Sequence, residues 1–343
     1  MRLKLKARWA LIIIFMTVCS SVQSEPFHGI MHRTVVFVEQ KPSELSHEEL
    51  GALLPGFSRV EQFKLKVQER NYRLSVKAVD HESVMLPDVA YLADFGRGID
   101  KAYALKIQNY RYALVLDVAY PEKDMINGLK MADQFIYKLA QKLNGVIWDD
   151  ETQELFSLAA WKLRRNDAWY QNIALMESHI LIHSEMTTPE SIDIQSLGMA
   201  KFGLPDLRIH DFPYELLGSM ANLMNLTAQS LFEGIKPDDA GMLQLSFQSL
   251  KESPYKVKLL QSLGWDNKVI VNVGLKGVPL LTVDELTVDE EAELPAKFPN
   301  LVLEITFDHV AAPSRTNKQI VVLSNLFRKR DSSAHHSKVN DVF

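Results

Sequence analysis

Glu177, His179, His183 and Glu185 are the densest run of metal-type ligands in the chain. On a strand running from about Ile173 to His183 and just beyond, they would share one face, because side chains two apart point the same way. Two imidazoles and two carboxylates suit Zn²⁺ where no thiolate is available. Strand geometry opposes a shared ion, since four residues of strand separate His179 from His183 by roughly 13 Å. The plainer expectation is a solvated strand face opposite Ile180 and Ile182.

Three short patterns carry chemistry in other proteins but lack its context here. Asp94-Phe95-Gly96 matches the magnesium-binding tripeptide of protein kinases, without their glycine-rich loop, lysine strand or His-Arg-Asp loop, and reads as a turn. Ser253-Pro254-Tyr255-Lys256 matches the Ser-x-x-Lys of penicillin-binding enzymes. The Ser-x-Asn and Lys-Thr-Gly partners are missing, and Lys276-Gly277 is only an echo of the second. Asp149-Asp150-Glu151 offers adjacent carboxylates without the alternating oxygen ligands of a calcium loop, so a turn or helix cap is expected. A Gly-x-Ser-x-Gly nucleophile elbow is absent.

The most structured motif is Gly198-Met199-Ala200-Lys201-Phe202-Gly203-Leu204-Pro205-Asp206-Leu207, followed by Phe212-Pro213. Two glycines and a proline impose a particular backbone path. It reads either as a structural turn or as a binding loop that uses Lys201, Phe202, Pro205 and Asp206. Trp161, Trp169 and Tyr170 form an aromatic cluster suited to a core or to an interaction surface.

These residues need elements to position them. Thr34 to Glu39 reads as a buried strand, and Ser46 with Glu49 makes a capping box for a helix carrying Leu50, Leu53 and Leu54. Alternation around Phe63 to Val67 and Tyr72 to Val76 predicts a hairpin with one wet face. A strand at Tyr110 to Tyr120 leads to a helix opening at Asp124. Its stripe is Ile126, Leu129, Phe135, Leu139 and Leu143, with Asn144-Gly145 as its C-cap. With a short strand at Val146 to Trp148, this order resembles an elaborated ferredoxin-like half. From about Trp161 a looser version follows, with strands near 173–183, 243–247, 269–273 and 301–307 and helices near 214–232 and 320–327. The expected fold is α+β: mixed, mainly antiparallel sheets with helices packed on one face, arranged as two ferredoxin-like halves over 25–160 and 161–327. Thr-Val-Asp-Glu occurs at 282 and 287 in an acidic stretch expected to be a solvated loop, and a polar tail, 328–343, is expected to be disordered.

Residues 1–24 read as a secretory signal peptide. Arg2, Lys4, Lys6 and Arg8 precede an apolar run from Ala10 to Cys19, which is shorter than the roughly twenty residues of a membrane span. Cleavage is expected after Ser24, giving a periplasmic or secreted protein without stable membrane insertion. The net charge of −5 would fall by four on cleavage, because the leader has four basic residues and no acidic one. Such a surface repels phosphate backbones, so nucleic acid is not the expected partner. The sole cysteine, Cys19, lies in the leader, and Met16-Thr17-Val18 before it do not resemble a lipidation signal. A mature chain without cysteine has no disulfide and no cysteine metal site, and no motif calls for a cofactor.

Gly145-Val146-Ile147-Trp148-Asp149-Asp150-Glu151-Thr152, the Gly198 to Leu207 loop and the Asn300-Leu301-Val302-Leu303-Glu304-Ile305-Thr306-Phe307 strand together resemble bacterial proteins built on a domain of unknown function. The resemblance spans about Val35 to Phe327 and implies no activity. Relatives of this kind often lack a leader, so the exported address is a departure from them.

The leading expectation is a protein-binding module, in an immunity or inhibitor-like role. The competing one is a periplasmic hydrolase-type enzyme with a dispersed His/carboxylate site. A deep polar cleft containing His179, His183 or His210 would favour chemistry, and a flat apolar patch would favour a partner.

Overall fold

The computed structural model describes residues 29–42, 47–53, 59–61, 64–67, 70–80, 84, 86–257, 269–279 and 301–327. The expected leader, Ser46, Leu54, Phe63, the Thr-Val-Asp-Glu repeats and the tail lie outside them.

The first sheet contains β1 (Ile30–Val38), β2 (Arg59–Glu61), β3 (Lys64–Val67), β4 (Arg70–Asp80), β5 (Gly96–Arg97), β6 (Tyr112–Tyr120), β7 (Val146–Asp149) and β8 (Glu154–Phe156). Their order is β2-β3-β4-β6-β1-β7-β8-β5. Strand β1 is antiparallel to both β6 and β7, so those two run parallel to each other with β1 inserted between them. With β4 antiparallel to β6, the inner four strands form a split β-α-β arrangement.

Helix α1 (His47–Leu53) precedes the β2–β3 hairpin, α2 (Val89–Phe95) and α3 (Lys101–Ile107) lie between β4 and β6, and α4 (Met125–Leu143) joins β6 to β7. In α4 the buried positions Leu129, Ala132, Asp133, Phe135, Ile136, Leu139 and Ala140 make one helical face. Asn144 ends it in the left-handed conformation at φ 51°, donating its N–H to the carbonyls of Ala140 and Gln141. Side chains of Asp88 and Asp100 cap α2 and α3 by accepting the N–H groups of Tyr91 and Tyr103 at 2.8 and 2.7 Å. Strand β1 serves two cores by alternation. Val36 and Val38 join the main core, whereas Val35 and Phe37 pack with Leu92, Ala104 and Ile107 under α2 and α3.

A short helix α5 (Leu158–Trp161) and a π-helical turn at Lys162–Asn166 lead into the second half. There a ribbon of β9 (Trp169–Tyr170) and β10 (Ile173–Ala174) is followed by α6 (Met176–His179). The second sheet is built of β11 (Leu181–Thr188), β12 (Ser191–Leu197), β13 (Leu207–Pro213), β14 (Met242–Leu245), β15 (Val271–Pro279) and β16 (Leu301–Thr306). Its order is β11-β12-β13-β16-β15-β14, with β13 parallel to β16 and the other pairs antiparallel. This order differs from that of the first half, so the fold is α+β without being a structural repeat. Ile192, Ile194, Leu207, Ile209 and Phe212 face α7 (Leu217–Phe232) and α8 (Arg315–Leu326). The same apolar core contains Leu129 and Phe135 of α4, so the two halves share it. No helix among the described residues is long and apolar enough to cross a membrane.

The strand expected from Ile173 to His183 is instead β10, α6 and the start of β11. After buried Ile173 and Ala174 of β10, the buried positions are Met176, His179 and Ile180, at helical spacing, and Gln229 accepts the N–H of Met176 at 3.0 Å. Burial at i, i+3 and i+4 overrides the β-branched composition.

Candidate functional site

Where β1, α4 and the β7–β8 turn meet the second half, charged groups collect with no solvent exposure. His32, Asp133, Asp149, Glu154, Arg165 and Lys201 are each 0 % exposed. Asp149 is the hub. Its Oδ1 accepts the N–H groups of Glu151 and Thr152 at 3.2 and 3.4 Å, which makes the expected turn. Its Oδ2 accepts Lys201 Nζ at 3.0 Å and Arg165 Nη2 at 2.8 Å. The Arg165 guanidinium also reaches Thr152 and the Ser178 carbonyl, and lies 4.6 Å from the Phe156 ring centre. Glu154 pairs with Arg97 and sits 3.7 Å from Arg165. Glu151 bridges the halves, taking the Lys201 backbone N–H at 3.1 Å on one oxygen and His32 Nδ1 at 3.2 Å on the other.

Two glycines permit this closeness. A Cβ on Gly128 would lie 2.5 Å from the Tyr120 side chain, which passes beneath α4 to donate its hydroxyl to the Lys201 carbonyl at 2.8 Å. Gly198, at φ +101°, would place a Cβ 2.6 Å from the Thr152 methyl, where the loop folds over the Asp149 turn.

Environment separates the carboxyls. Burial pushes Asp149 up, but the Lys201 ammonium, the Arg165 guanidinium and His32 overcome it and hold this carboxyl far below the usual range. Asp133 lies at a core-facing position of α4, and neither of its oxygens meets a hydrogen-bond donor among the described residues. Burial pushes it up to about 6 against the pull of His32, Lys201 and Arg165. Burial also opposes charge on His32, but the Glu151 carboxylate prevails and raises its pKa. His179 is held well below its ordinary value by burial, with Arg165 and Lys201 adding to the effect. The set has the residue types of acid–base chemistry, but its position inside the shared core denies a substrate access. What it does is join Asp149, Glu151 and Glu154 of one half to Arg165 and Lys201, which follow them in the chain.

The accessible polar groups lie elsewhere. His183 and Glu185 on β11, Asp193 and Gln195 on β12, and Arg208 and His210 on β13 line a cleft of about 260 Å³ on the open face of the second sheet. A register shift between Ile192 and Ile194 sets Asp193 against both His210 and Asp211. Asp193 Oδ2 lies 2.5 Å from His210 Nδ1, and its Oδ1 accepts the Asp211 N–H at 2.8 Å. Gln195 accepts Arg208 Nε at 2.9 Å. An aromatic run of half-buried rings leads from the first half to this cleft: Trp148 to Tyr91 at 6.1 Å, Tyr91 to Phe95 at 4.6 Å and Phe95 to His183 at 6.1 Å.

The two candidate metal histidines are separated. His179 is packed in α6 against Trp169 and Phe202 at 5.1 and 5.5 Å, while His183 is exposed on β11. Among the described residues, no group of three or more His, Cys, Asp or Glu side chains could hold a metal ion. In the candidate loop, Lys201 and Phe202 are buried, the first as an ion partner and the second in an aromatic cluster with Trp169 and Phe232, so neither lines an open binding loop. Pro205 is half-buried, and Asp206 accepts Ser196 Oγ and the Met199 N–H at 2.9 and 3.2 Å. Burial pushes Asp206 up to about 6 despite those two donors. The aromatic trio also divides. Trp161 is core, donating its indole N–H to the Asp133 carbonyl at 3.0 Å, Trp169 is half-buried, and Tyr170 is exposed.

Asp94 and Phe95 end α2, with Gly96 beginning β5, so this tripeptide closes a helix. Ser253 caps a helical turn by accepting the Lys256 N–H at 3.1 Å, and Lys256 Nζ is engaged by the Leu250 carbonyl and Glu252. His32, Asp133, Glu154 and Arg165 belong to no motif in the sequence. Two of them left a signal: His32 shares strand parity with Val36, and Asp133 falls between Leu129 and Ile136 on the apolar stripe. No family model, curated protein or solved structure matches the chain.

Proposed function

We propose that the protein is exported and acts by binding another protein on the face formed by β11, β12 and β13. The observation that carries this reading is the half-buried Trp148–Tyr91–Phe95 aromatic run beside the cleft, an apolar contact area of the kind that favours a partner, whereas the polar cleft lined by His183 and His210 is what supports the second reading below. Mixed charge provides orientation, and aromatic rings provide contact area at low entropic cost. The immunity or inhibitor-like role is one form of this activity. A photo-crosslinking residue at Gln195, in the cells that make the protein, should give one discrete adduct. The same residue at Leu105, which is 55 % exposed on α3, should give none. Arg208→Glu should remove the Gln195 adduct. No adduct at Gln195, or equal adducts at both positions, would overturn the reading.

A second reading rests on the Asp193–His210 pair. A carboxylate on Nδ1 fixes the imidazole tautomer and leaves Nε2 to take a proton, which is the arrangement of a general base in hydrolysis. A panel of ester and phosphate substrates tests it. Turnover that His210→Ala abolishes would favour the enzyme, and no turnover in the parent protein would end that reading.

A further inference from the structure

We propose that the chain forms a two-fold dimer by antiparallel pairing of β11 with β11 of a second copy, centred on Ser184. β11 ends the second sheet and pairs only with β12 among the described residues. Its side chains from His183 to Thr188 are all exposed, so the backbone groups along its outer side are open to another strand. The pairing shares His183 and Glu185 with the cleft, but it uses the open edge of β11 and does not require the cleft to be occupied.

The residues of β11 select one register. Antiparallel pairing about a two-fold axis perpendicular to the sheet places residues of equal parity opposite each other, which keeps the polar faces of both copies on the same side. Centred on Ser184, His183 stands opposite Glu185 of the second copy and Ile182 opposite its Met186. An imidazole then meets a carboxylate on the polar face, and two apolar side chains meet on the reverse face. Met186 is 59 % exposed, which is unusual for a large apolar side chain. Placing the centre between two residues breaks the parity. Moving it to His183 or Glu185 sets one of them against its own copy, and like charges directly opposite are destabilising.

The monomer also leaves a charge conflict that the dimer relieves. Glu185 is directly opposite Asp193 across the β11–β12 pair, carboxylate beside carboxylate. Asp193 has His210 on its far side, whereas Glu185 has the open edge. A second copy supplies His183 at that edge, so each Glu185 stands between Asp193 and an imidazole that can donate to it. The register shift between Met186 and Thr188 limits the ladder to the segment before it.

One strand pair is smaller than the ~1,200 Å² of standard interfaces, so sedimentation of the full chain belongs at about 100 μM. The expected result is a concentration-dependent dimer. His183→Glu and Glu185→Lys should each weaken it about tenfold or more, and H183E/E185K together should restore it to within about threefold. Ser184→Cys in a Cys19→Ser background should form an intermolecular disulfide on mild oxidation. Met186→Cys should not, because in this register the two copies of residue 186 lie roughly 13 Å apart. Circular dichroism confirms that each variant is folded. A monomer at that concentration, no rescue by the double swap, or equal crosslinking at 184 and 186 would each overturn the proposal.

Discussion

The interior between the halves and the open face of the second sheet use the same residue types, histidine with carboxylate and arginine with an oxygen acceptor, to opposite ends. Asp149 meets Lys201 and Arg165 with no exposure on any of the three, while Asp193 meets His210 with about a quarter to a third of each side chain in water. Inside, desolvation makes each missing partner expensive, so the groups have one stable arrangement and act as a lock. On the face, water competes for every contact. The groups there can exchange partners, and recognition requires that freedom.

The sharpest way to break this comparison is to remove one acid from each place. Asp149→Ala leaves Lys201 and Arg165 buried without their shared acceptor, and should cost about 3–5 kcal/mol. Asp193→Ala should cost less than about 1 kcal/mol. Urea unfolding measures both. Equal costs would mean that the interior network is wetter than its burial implies and does not lock the halves.

Proton linkage gives the next effect. Asp133 titrates at about 6 in the fold against an ordinary 3.8. Between those values the native state holds a proton that the unfolded chain has lost, so stability falls as pH rises through 6. Asp206, also raised to about 6, acts in the same direction. His32 joins them: its raised pKa adds stability that is full below its unfolded value and is lost as pH rises through the folded one. Asp149 works the other way, its contribution being present above the ordinary carboxylate range and lost only in strong acid. The protein should therefore melt higher at pH 5 than at pH 8, with Asp133 alone contributing about 1.4 kcal/mol, the one pH unit between 5 and its value of about 6. Asp133→Asn should raise the melting temperature at pH 8 and flatten the profile. An unchanged slope would show that Asp133 is solvated.

These two regions were unequally legible in the sequence. Regular periodicity and a left-handed cap made α4 plain, and β1, β6 and β7 followed from β-branched runs and their spacing. Lys201 and Asp149 stood out through their motifs, but fifty-odd residues separate them, and nothing local shows that they meet. Asp133 was visible only as a break in an apolar stripe, and such a break does not name its neighbours. Trp161 and Phe202 read as core or anchor residues by type, but the sequence does not show what they pack against, and that Trp161 donates to the Asp133 carbonyl is set by the tertiary fold. The α6 turn was lost to local composition, since Ile180 and Ile182 favour a strand while packing of Met176 and His179 decides for a helix. The face cleft depends on a shifted register between β12 and β13, which side-chain alternation alone does not encode.

The smallest effect separates the regions by salt. At 0.1 M salt the screening length is about 10 Å, and at 1 M about 3 Å, so only charges that water can reach lose their attraction. A double-mutant cycle between Asp193 and His210, measured at pH 6 by urea unfolding, should give a coupling of less than about 1 kcal/mol in 0.1 M salt and nothing measurable in 1 M. The same cycle between Lys201 and Asp149 should keep its coupling in both, because no counterion approaches a pair enclosed by the shared core. If the interior coupling also vanished in salt, the two halves would have to part often enough to admit ions. The network would then be a hinge, and its acid–base groups would return as candidates for chemistry.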